Sequence, residues 1–131
     1  MAKGVGDVIY SLLSNDATVS AIVGTKIFPF VAIEDIKYPY IVYDNLGVEP
    51  TQCKGEVSSL DTISVNIELY SETLGEIEDL GNKVRTALDR VSGTTETVVV
   101  QSISFRDEDG GYADEDRVYL KIQSYQFRIL K

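Results

Sequence analysis

Histidine and tryptophan are absent from this 131-residue chain, and cysteine occurs once. Without histidine the chain cannot form a Ser-His-Asp or Cys-His catalytic group, or a zinc site of the common histidine-containing type. One cysteine also excludes an internal disulfide and a thiolate zinc site. Cys53 lies in the polar run TQCKGE, so we expect a loop thiol in a reducing compartment. An enzyme is therefore the least favoured class, and no cofactor or metal site is predicted.

Long apolar runs are missing as well. No segment approaches the ~20 residues that a membrane helix needs. The N-terminus, MAKGVGDVIY, lacks the continuous apolar region of a secretory signal. We therefore expect a protein that is soluble and cytoplasmic where it is made, with no membrane partner.

Basic residues are few. The 12 basic residues stand against 21 acidic ones, which leaves a formal net charge of −9. Affinity for nucleic acid comes largely from neutralising phosphates with Lys and Arg, so the composition predicts a poor general DNA binder. The length and the absence of linkers or repeats predict one domain over residues 1–131.

The N-terminal third predicts two helices and an extended segment. Asp16 is placed to cap a short second helix over residues 17–23, which Gly24 ends. The chain is then expected to be extended over residues 26–29. The apolar stripe of the first helix consists of Val5, Val8, Ile9, Leu12 and Leu13.

The middle of the chain predicts two strands and a strong helix. Residues 40–43 are β-branched and aromatic, and residues 63–70 alternate apolar and mostly polar side chains. Between them, residues 47–59 predict a polar loop. Thr73 and Glu76 form a capping box that opens the helix. Its apolar stripe is Leu74, Ile77, Leu80, Val84, Leu88 and Val91, with Gly93 expected to end it and Gly81 to mark a close approach to the sheet.

The C-terminal third predicts a long hairpin. Two β patterns, residues 97–106 and 117–130, flank the acidic segment 107–116, DEDGGYADED, which is expected to be the turn. In the second strand the apolar residues change parity at Gln123-Ser124. This change indicates a β-bulge or a strand that switches its buried face. The pattern as a whole predicts an α+β fold: a mostly antiparallel sheet with two main helices on one face and a long C-terminal β-hairpin.

The acidic segment permits three interpretations: a solvated turn, an acidic interaction surface, or a metal or catalytic site. The spacing does not match a calcium loop, because the required glutamate position is occupied by Val118. A glycine-rich hairpin tip also offers no pocket that would raise a carboxyl pKa for catalysis. The solvated turn is the interpretation that charge runs usually support.

Aromatic residues are concentrated between residues 28 and 43. Phe28-Pro29-Phe30 and Tyr38-Pro39-Tyr40 bracket a short acidic segment. Packing in a sheet and core explains such rings more often than a ligand platform does. A single-strand nucleic-acid binder would add a basic groove, which this chain lacks.

The order of these segments resembles the tail-completion or tail-terminator proteins of long-tailed bacteriophages, the small subunits that join head and tail. The resemblance covers nearly the whole chain, although each motif is short. The matching segments are Lys26-Ile27-Phe28-Pro29, Pro39-Tyr40-Ile41-Val42-Tyr43, Leu69-Tyr70-Ser71, Val84-Arg85-x-Ala87-Leu88 and Phe127-Arg128-Ile129. The motif residues with a structural role are Phe28, Pro29, Pro39, Tyr40, Tyr43, Tyr70 and Leu88.

This resemblance implies a non-catalytic virion protein of the tail or neck, assembled in the host cytoplasm. It implies a homo-oligomeric ring, typically of six copies, at the head-proximal end of the tail tube. The ring stops tube growth and contacts the tail-tube protein and a head-completion or connector protein. DNA passes through its lumen without specific binding.

The acidic residues give a separate hypothesis, because they are not motif positions of that family. An acidic lumen would not neutralise phosphates, so we expect the 107–116 hairpin or the 47–59 loop to face the lumen or a neighbouring ring. The residues concerned are Asp107, Glu108, Asp109, Asp114, Glu115, Asp116, Glu49 and Glu56. The alternatives are another head-tail connector or tail-tube component, and, in a different class, a small cytosolic ligand- or peptide-binding module.

Overall fold

The computed structural model describes residues 5–31, 37–50, 60–95, 98–113 and 117–130. Three helices and six strands occur in this part of the chain. In chain order they are α1 (Val5–Ser14), α2 (Ala17–Val23), β1 (Ile27–Pro29), β2 (Tyr40–Pro50), β3 (Leu60–Ser71), α3 (Leu74–Leu88), β4 (Gly93–Thr95), β5 (Val98–Ala113) and β6 (Val118–Leu130).

The strands form one six-stranded sheet in the order β1-β2-β3-β6-β5-β4. Every neighbouring pair is antiparallel except β1 and β2, which are parallel. The prediction of an α+β fold with a mostly antiparallel sheet is confirmed.

The hydrophobic core lies between the helices and one face of this sheet. Alternate residues of β3 point into it, because successive side chains of a strand project to opposite faces. The core includes Ile9 and Leu13 of α1, Leu80 and Leu88 of α3, and Ile67 of β3, all fully buried. Among the described residues, no helix covers the opposite face, which we call the helix-free face.

Both predicted helix caps are confirmed. Asp16 accepts hydrogen bonds from the backbone N–H groups of Thr18 (2.9 Å) and Val19 (3.1 Å) at the start of α2. A hydrogen bond from the Thr18 hydroxyl is the main reason that the pKa of Asp16 is lowered. At α3, the Thr73 hydroxyl oxygen accepts from the Glu76 N–H (3.2 Å). The reciprocal half of the predicted capping box does not form, because the Thr73 N–H donates to the Ser71 hydroxyl oxygen (3.3 Å) and not to Glu76.

The predicted end of α3 is wrong. The helix stops at Leu88, so Val91 is not helical, and Gly93 opens the short strand β4 instead of capping the helix. The chain turns away because it bonds to β5. Asp89 accepts the Phe105 N–H at 3.1 Å, and the Arg90 N–H donates to the Ile103 carbonyl at 2.8 Å.

Two predicted loops are partly strand. β5 continues to Ala113, so residues 107–113 of the predicted acidic turn pair with β6. β2 continues to Pro50, so residues 47–50 of the predicted loop pair with β3. The cross-strand ladders explain both extensions, since polar residues join a strand when a partner strand bonds them. The remainder of the two predictions, residues 51–59 and 114–116, lies outside the described residues.

The predicted bulge in the last strand is also wrong. β6 pairs with β3 in one unbroken register, from Leu60 opposite Leu130 to Ser71 opposite Tyr119. The register shifts lie in β5, one between Val100 and Ser102 and one between Phe105 and Asp107. The strand does not switch its buried face either, because Lys121, Gln123, Tyr125 and Phe127 are all buried on the helix side. The apolar pattern changes parity because polar side chains occupy that face at Lys121 and Gln123.

Candidate assembly surfaces

The helix-free face consists of rows of residues that lie side by side across β2, β3, β6 and β5. The first row is apolar: Tyr40, Tyr70, Leu120 and Gly111. The second row contains Val42, Glu68, Ile122 and Asp109, and the third contains Asp44, Asn66, Ser124 and Asp107. Further along, Ser64, Gln126 and Ser104 are neighbours. The row after it contains Thr62, Ser102 and the exposed Arg128. The face therefore changes from aromatic at one end to mainly polar and acidic along the rest, with Arg128 as a cation near the far end.

The acidic residues 107–109 do not act as one group. Asp107 and Asp109 are exposed on the helix-free face, where they lie opposite Ser124 and Ile122. Glu108 has the opposite parity and turns to the helix side, opposite Gln123. The bulge at Arg106 determines this arrangement, because one extra residue in a strand moves each later side chain to the opposite face of the sheet.

Glu108 belongs to a polar cluster between the hairpin and α3. Its carboxylate lies 3.0 Å from the ammonium group of Lys121, which also contacts Glu78 of α3 at 2.8 Å. The side-chain amide nitrogen of Gln123 donates to the Glu108 carboxylate (2.9 Å) and to the Gly81 backbone carbonyl (2.8 Å). The Tyr125 hydroxyl donates to the side-chain oxygen Oε1 of Gln123 (2.6 Å). Gln123 is fully buried and the Lys121 side chain is 9% exposed. The cluster satisfies the polar groups that the sheet directs into the core.

The electrostatics of this cluster favour the charged forms. Burial alone would raise the pKa of Glu108, but hydrogen bonds from Gln123 and Lys121 and the charge of Lys121 outweigh it and lower that pKa. Burial alone would lower the pKa of Lys121, but its bonds to Glu78 and Glu108 raise it. The pair is therefore an ion pair that holds β5 and β6 against α3, and not a proton donor and acceptor for catalysis.

The close approach of α3 that Gly81 predicted is confirmed. A Cβ added to Gly81 would lie 2.9 Å from Cδ of Lys121 and 3.3 Å from Nε2 of Gln123. One turn further along the helix, the Arg85 guanidinium lies 3.9 Å from the centre of the Phe105 ring of β5. These contacts fasten the middle of α3 to the hairpin.

The aromatic residues of the 28–43 segment contact one another across the strands. Tyr40 stacks on Tyr38 and on Tyr70, with ring centres 5.3 and 4.8 Å apart, and Phe28 meets Tyr40 edge to face at 6.3 Å. Burial and the nearby Glu68 carboxylate raise the pKa of the Tyr70 hydroxyl. These four rings thus pack at the apolar end of the helix-free face, as sheet packing predicted, whereas Phe30 is exposed and Tyr43 lies on the helix side.

A groove of about 570 Å³ separates α1 from β1 and β2. Tyr43 forms its floor, and its ring lies so near the helix that a Cβ on Gly6 would approach it to 3.3 Å. Burial, with smaller effects of Asp7 and Tyr10, raises the pKa of the Tyr43 hydroxyl. The lining contains one carboxylate and no cationic side chain, so it offers no acid-base pair. The lining residues are Asp7, Tyr10, Ser11, Ser14, Asn15, Ile27, Pro29 and Tyr43.

The other predicted residues lie in several places. Glu49 lies in β2 opposite Thr62, and Leu88 is fully buried at the end of α3. Pro29 ends β1 at the surface and Pro39, half-buried, precedes β2. Asp114, Glu115, Asp116 and Glu56 lie outside the described residues.

Sequence reasoning did not identify the cluster around Lys121 and Gln123. The apolar pattern of β6 does not reveal it, because the two buried polar residues lie on the same side of the regular strand as Tyr125 and Phe127. Gly81 was the one available signal, because a glycine inside a helix indicates a bulky neighbour.

Within the described residues, no group of three or more Cys, Asp or Glu side chains is arranged to hold a metal ion. In the same part of the chain, no helix is long and apolar enough to cross a membrane.

Comparison with known proteins agrees with this fold. One chain from the virion of a native gene transfer agent particle superposes with a TM-score of 0.81 at 14% sequence identity, covering 97% of this chain and 95% of that one. At this identity the likeness shows the fold alone. A search of curated proteins found no match. The family model for tail completion protein gp17 matches residues 7–130, almost the whole sequence. The chain therefore belongs to the tail completion protein gp17 family.

Proposed function

We propose that the chain forms a ring, of six copies, at the head-proximal end of a phage-type tail tube, where it ends tube growth and joins the tail to the head. As a member of the tail completion family, the chain is a structural protein of a phage-type tail and resides in the virion. The ring, the number of copies and the contact with the head are the proposal.

The observation that carries the proposal is the difference between the two faces of the sheet. One face is covered by helices, and the other carries Ser, Thr, Asn and Gln side chains with the exposed Asp107 and Asp109, together with the exposed Arg128. A channel for DNA needs a surface with little net power to neutralise phosphates, and on this face Asp44, Glu68, Asp107 and Asp109 outnumber Arg128. In the ring, the helix-free face lines the channel and the helices lie outside.

The position of the ring at the end of the tail tube determines which proteins it contacts. One rim of the ring contacts the tail-tube protein, and the other contacts a head-completion or connector protein. DNA passes the lumen without a specific contact, and no enzymatic step is assigned. The rings of Phe28, Tyr38 and Tyr40 pack on each other and on Tyr70, which favours a structural role for them over a small ligand-binding module.

The test is to remove the chain from cells that produce the particle. We expect tail tubes of uncontrolled length and heads without tails, both restored when the wild-type chain is supplied. Electron microscopy measures the length distribution, and imaging of purified tails counts the copies at the tube end. Tails of normal length that join heads in the absence of the chain would overturn the proposal.

A further inference from the structure

The two outer strands of the sheet are much shorter than the strands they cover. β1 pairs only with Ile41–Tyr43 of β2, and β4 pairs only with Val98–Val100 of β5. The turn after α3 then bonds to β5 at Ile103 and Phe105. Within the described residues, residues 44–50 of β2 and 106–113 of β5 therefore have no strand on their outer side. We call these two segments the β2 edge and the β5 edge.

The two edges lie at opposite ends of the sheet. The centre of the β5 edge, Asp109-Gly110, is level with Ile41-Val42 of β2 through the ladders of β6 and β3. The centre of the β2 edge is Gly47, which pairs with Ser64 of β3 and lies four to five ladder steps further along, because the bulge between Asn45 and Gly47 adds a residue without adding a step. At about 3.3 Å per step, the edges are offset by roughly 15 Å along the strand direction.

We propose that the β5 edge of one copy pairs with the β2 edge of the next copy, so that the sheets of successive subunits form one closed barrel around the channel. This inference rests on the ring of the proposed function and adds the surface by which the copies join. Since β2, β3, β6 and β5 alternate in direction, the junction between β5 and the next β2 is antiparallel. An unpaired edge of a long strand is a ready template for such pairing.

The offset has the size that a closed barrel requires. Closing a sheet needs strands tilted by about 35–45° and a fixed stagger around the circumference. Four strands about 4.8 Å apart contribute ~19 Å per subunit, so a stagger of ~15 Å gives a tilt of roughly 38°. This angle does not depend on the number of copies. Edges at the same level would give no tilt and no closure.

The β5 edge also contains two glycines that the subunit itself does not require. Gly110 and Gly111 both lack a left-handed φ. A Cβ on Gly111 would meet nothing within 4 Å, and one on Gly110 only the Leu120 carbonyl at 3.7 Å. Glycine weakens a strand unless something else approaches its bare backbone. Antiparallel alignment of the two edges from end to end places Gly110 opposite Gly47, where side chains of the adjoining strand can cover it.

Cysteine cross-linking in assembled particles tests the pairing. In a chain with Cys53→Ser, Gly110→Cys is combined in turn with Asn45→Cys, Gly47→Cys or Glu49→Cys, since cysteines on paired strands are within disulfide reach. Oxidation of purified particles should give a covalent ladder that reaches the full ring for at least one combination. Each single variant alone should give no disulfide-linked dimer, and a mixture of two single variants should give dimers and nothing larger.

The matched control replaces Gly110→Cys by Val99→Cys, at a β5 position that β4 already covers, and should give no ladder. Disulfide-linked dimers from a single variant would instead show a symmetric two-fold contact and overturn the proposal. Particles that contain the double variants but give no ladder would do the same.

Hydrogen exchange of the wild-type chain provides a measurement without variants. The backbone amides of both edges should exchange at least about tenfold more slowly in assembled tails than in the isolated subunit, because pairing protects them. Unchanged exchange in tails that carry the chain would overturn the edge pairing while leaving the ring intact. Absence of the chain from the tube end would instead overturn the proposed function.

Discussion

At the scale of single residues, the polar cluster under α3 depends on one missing side chain. Gly81 leaves room for Lys121 and Gln123, which fill the space beside the helix backbone. The same helix contains a second glycine, Gly75, whose added Cβ would meet nothing within 4 Å. Alanine at Gly81 changes both packing and helix propensity, whereas alanine at Gly75 changes helix propensity alone. Comparing the two variants therefore distinguishes the two effects.

We expect Gly81→Ala to destabilise the protein and Gly75→Ala to stabilise it. Alanine improves helix propensity by up to about 1 kcal/mol at either place. At Gly81 the new methyl group overpacks the site at a cost of roughly 1–3 kcal/mol, because Lys121 is held by two carboxylates. Urea unfolding of both variants measures the difference. Equal stabilisation by both would show that Lys121 moves aside freely.

Glu108 should make stability depend on pH on the acid side. Its pKa is lowered in the folded state, so its contribution is complete above the ordinary value of 4.5 and is lost as the pH falls through the folded value. Glu108→Gln should lower stability at neutral pH and flatten the decline towards about pH 3. Asp109→Asn, on the exposed face, is the matched control and should keep the wild-type profile. Unfolding free energies across this range decide the point, and parallel curves for Glu108→Gln and the wild type would contradict it.

At the scale of elements, the start of α3 is fixed by interactions between residues close in sequence, whereas its end is fixed by contacts with a distant strand. Thr73 caps α3 through the Glu76 N–H, while the Glu76 carboxylate accepts the buried Ser71 hydroxyl at 2.6 Å. All three residues lie within six positions of each other, so the local sequence is enough to predict the cap. The end of α3 depends on bonds from Asp89 and Arg90 to β5, which is distant along the chain.

Loss of this cap should destabilise the fold by a modest amount. We expect Thr73→Ala to lower the free energy of unfolding by about 1 kcal/mol, because the Glu76 N–H loses its acceptor. Thr73→Ser keeps the hydroxyl oxygen and should remain near the wild type. Thermal and urea unfolding of the two variants provide the measurement. A Thr73→Ala variant as stable as Thr73→Ser would show that Ser71 and Glu76 alone define the start of the helix.

At the scale of the whole molecule, the sheet separates its two faces. The helix side contains the core and the Lys121 cluster, whereas the helix-free side carries Asp107 and Asp109 in the open. In the proposed ring these two carboxylates recur around the channel, and their charge is multiplied by the number of copies. Their effect should therefore appear in the assembled particle and not in the stability of the subunit.

We expect the channel charge to control the passage of DNA. Asp107→Asn with Asp109→Asn should slow DNA ejection, and lysine at both positions should slow it more, since added cations neutralise phosphates. The control removes two exposed charges from the helix side, by Glu72→Gln with Asp79→Asn, and should leave ejection unchanged. Ejection rates from purified particles measure the effect. Equal rates for the lysine variant and the control would remove these residues from the channel.

The sequence by itself determined the fold class, the caps at Asp16 and Thr73, most of the core and the absence of histidine chemistry. These features follow from composition and from patterns within one element, where apolar spacing reports the buried face. The family resemblance also came from the order of such elements. Its assignment is confirmed by the match over residues 7–130.

Only the tertiary structure decided which acidic residues face outward. The bulge at Arg106 turns Glu108 to Lys121 and leaves Asp107 and Asp109 on the open face, and cross-strand bonds extend β5 through the segment that the sequence predicted to be a turn. The physical reason is that a bulge and a buried ion pair depend on partners far along the chain. Residues 106–109 contact β6 and, through Lys121, α3. The local sequence of an acidic segment therefore cannot predict which of its carboxylates turns inward.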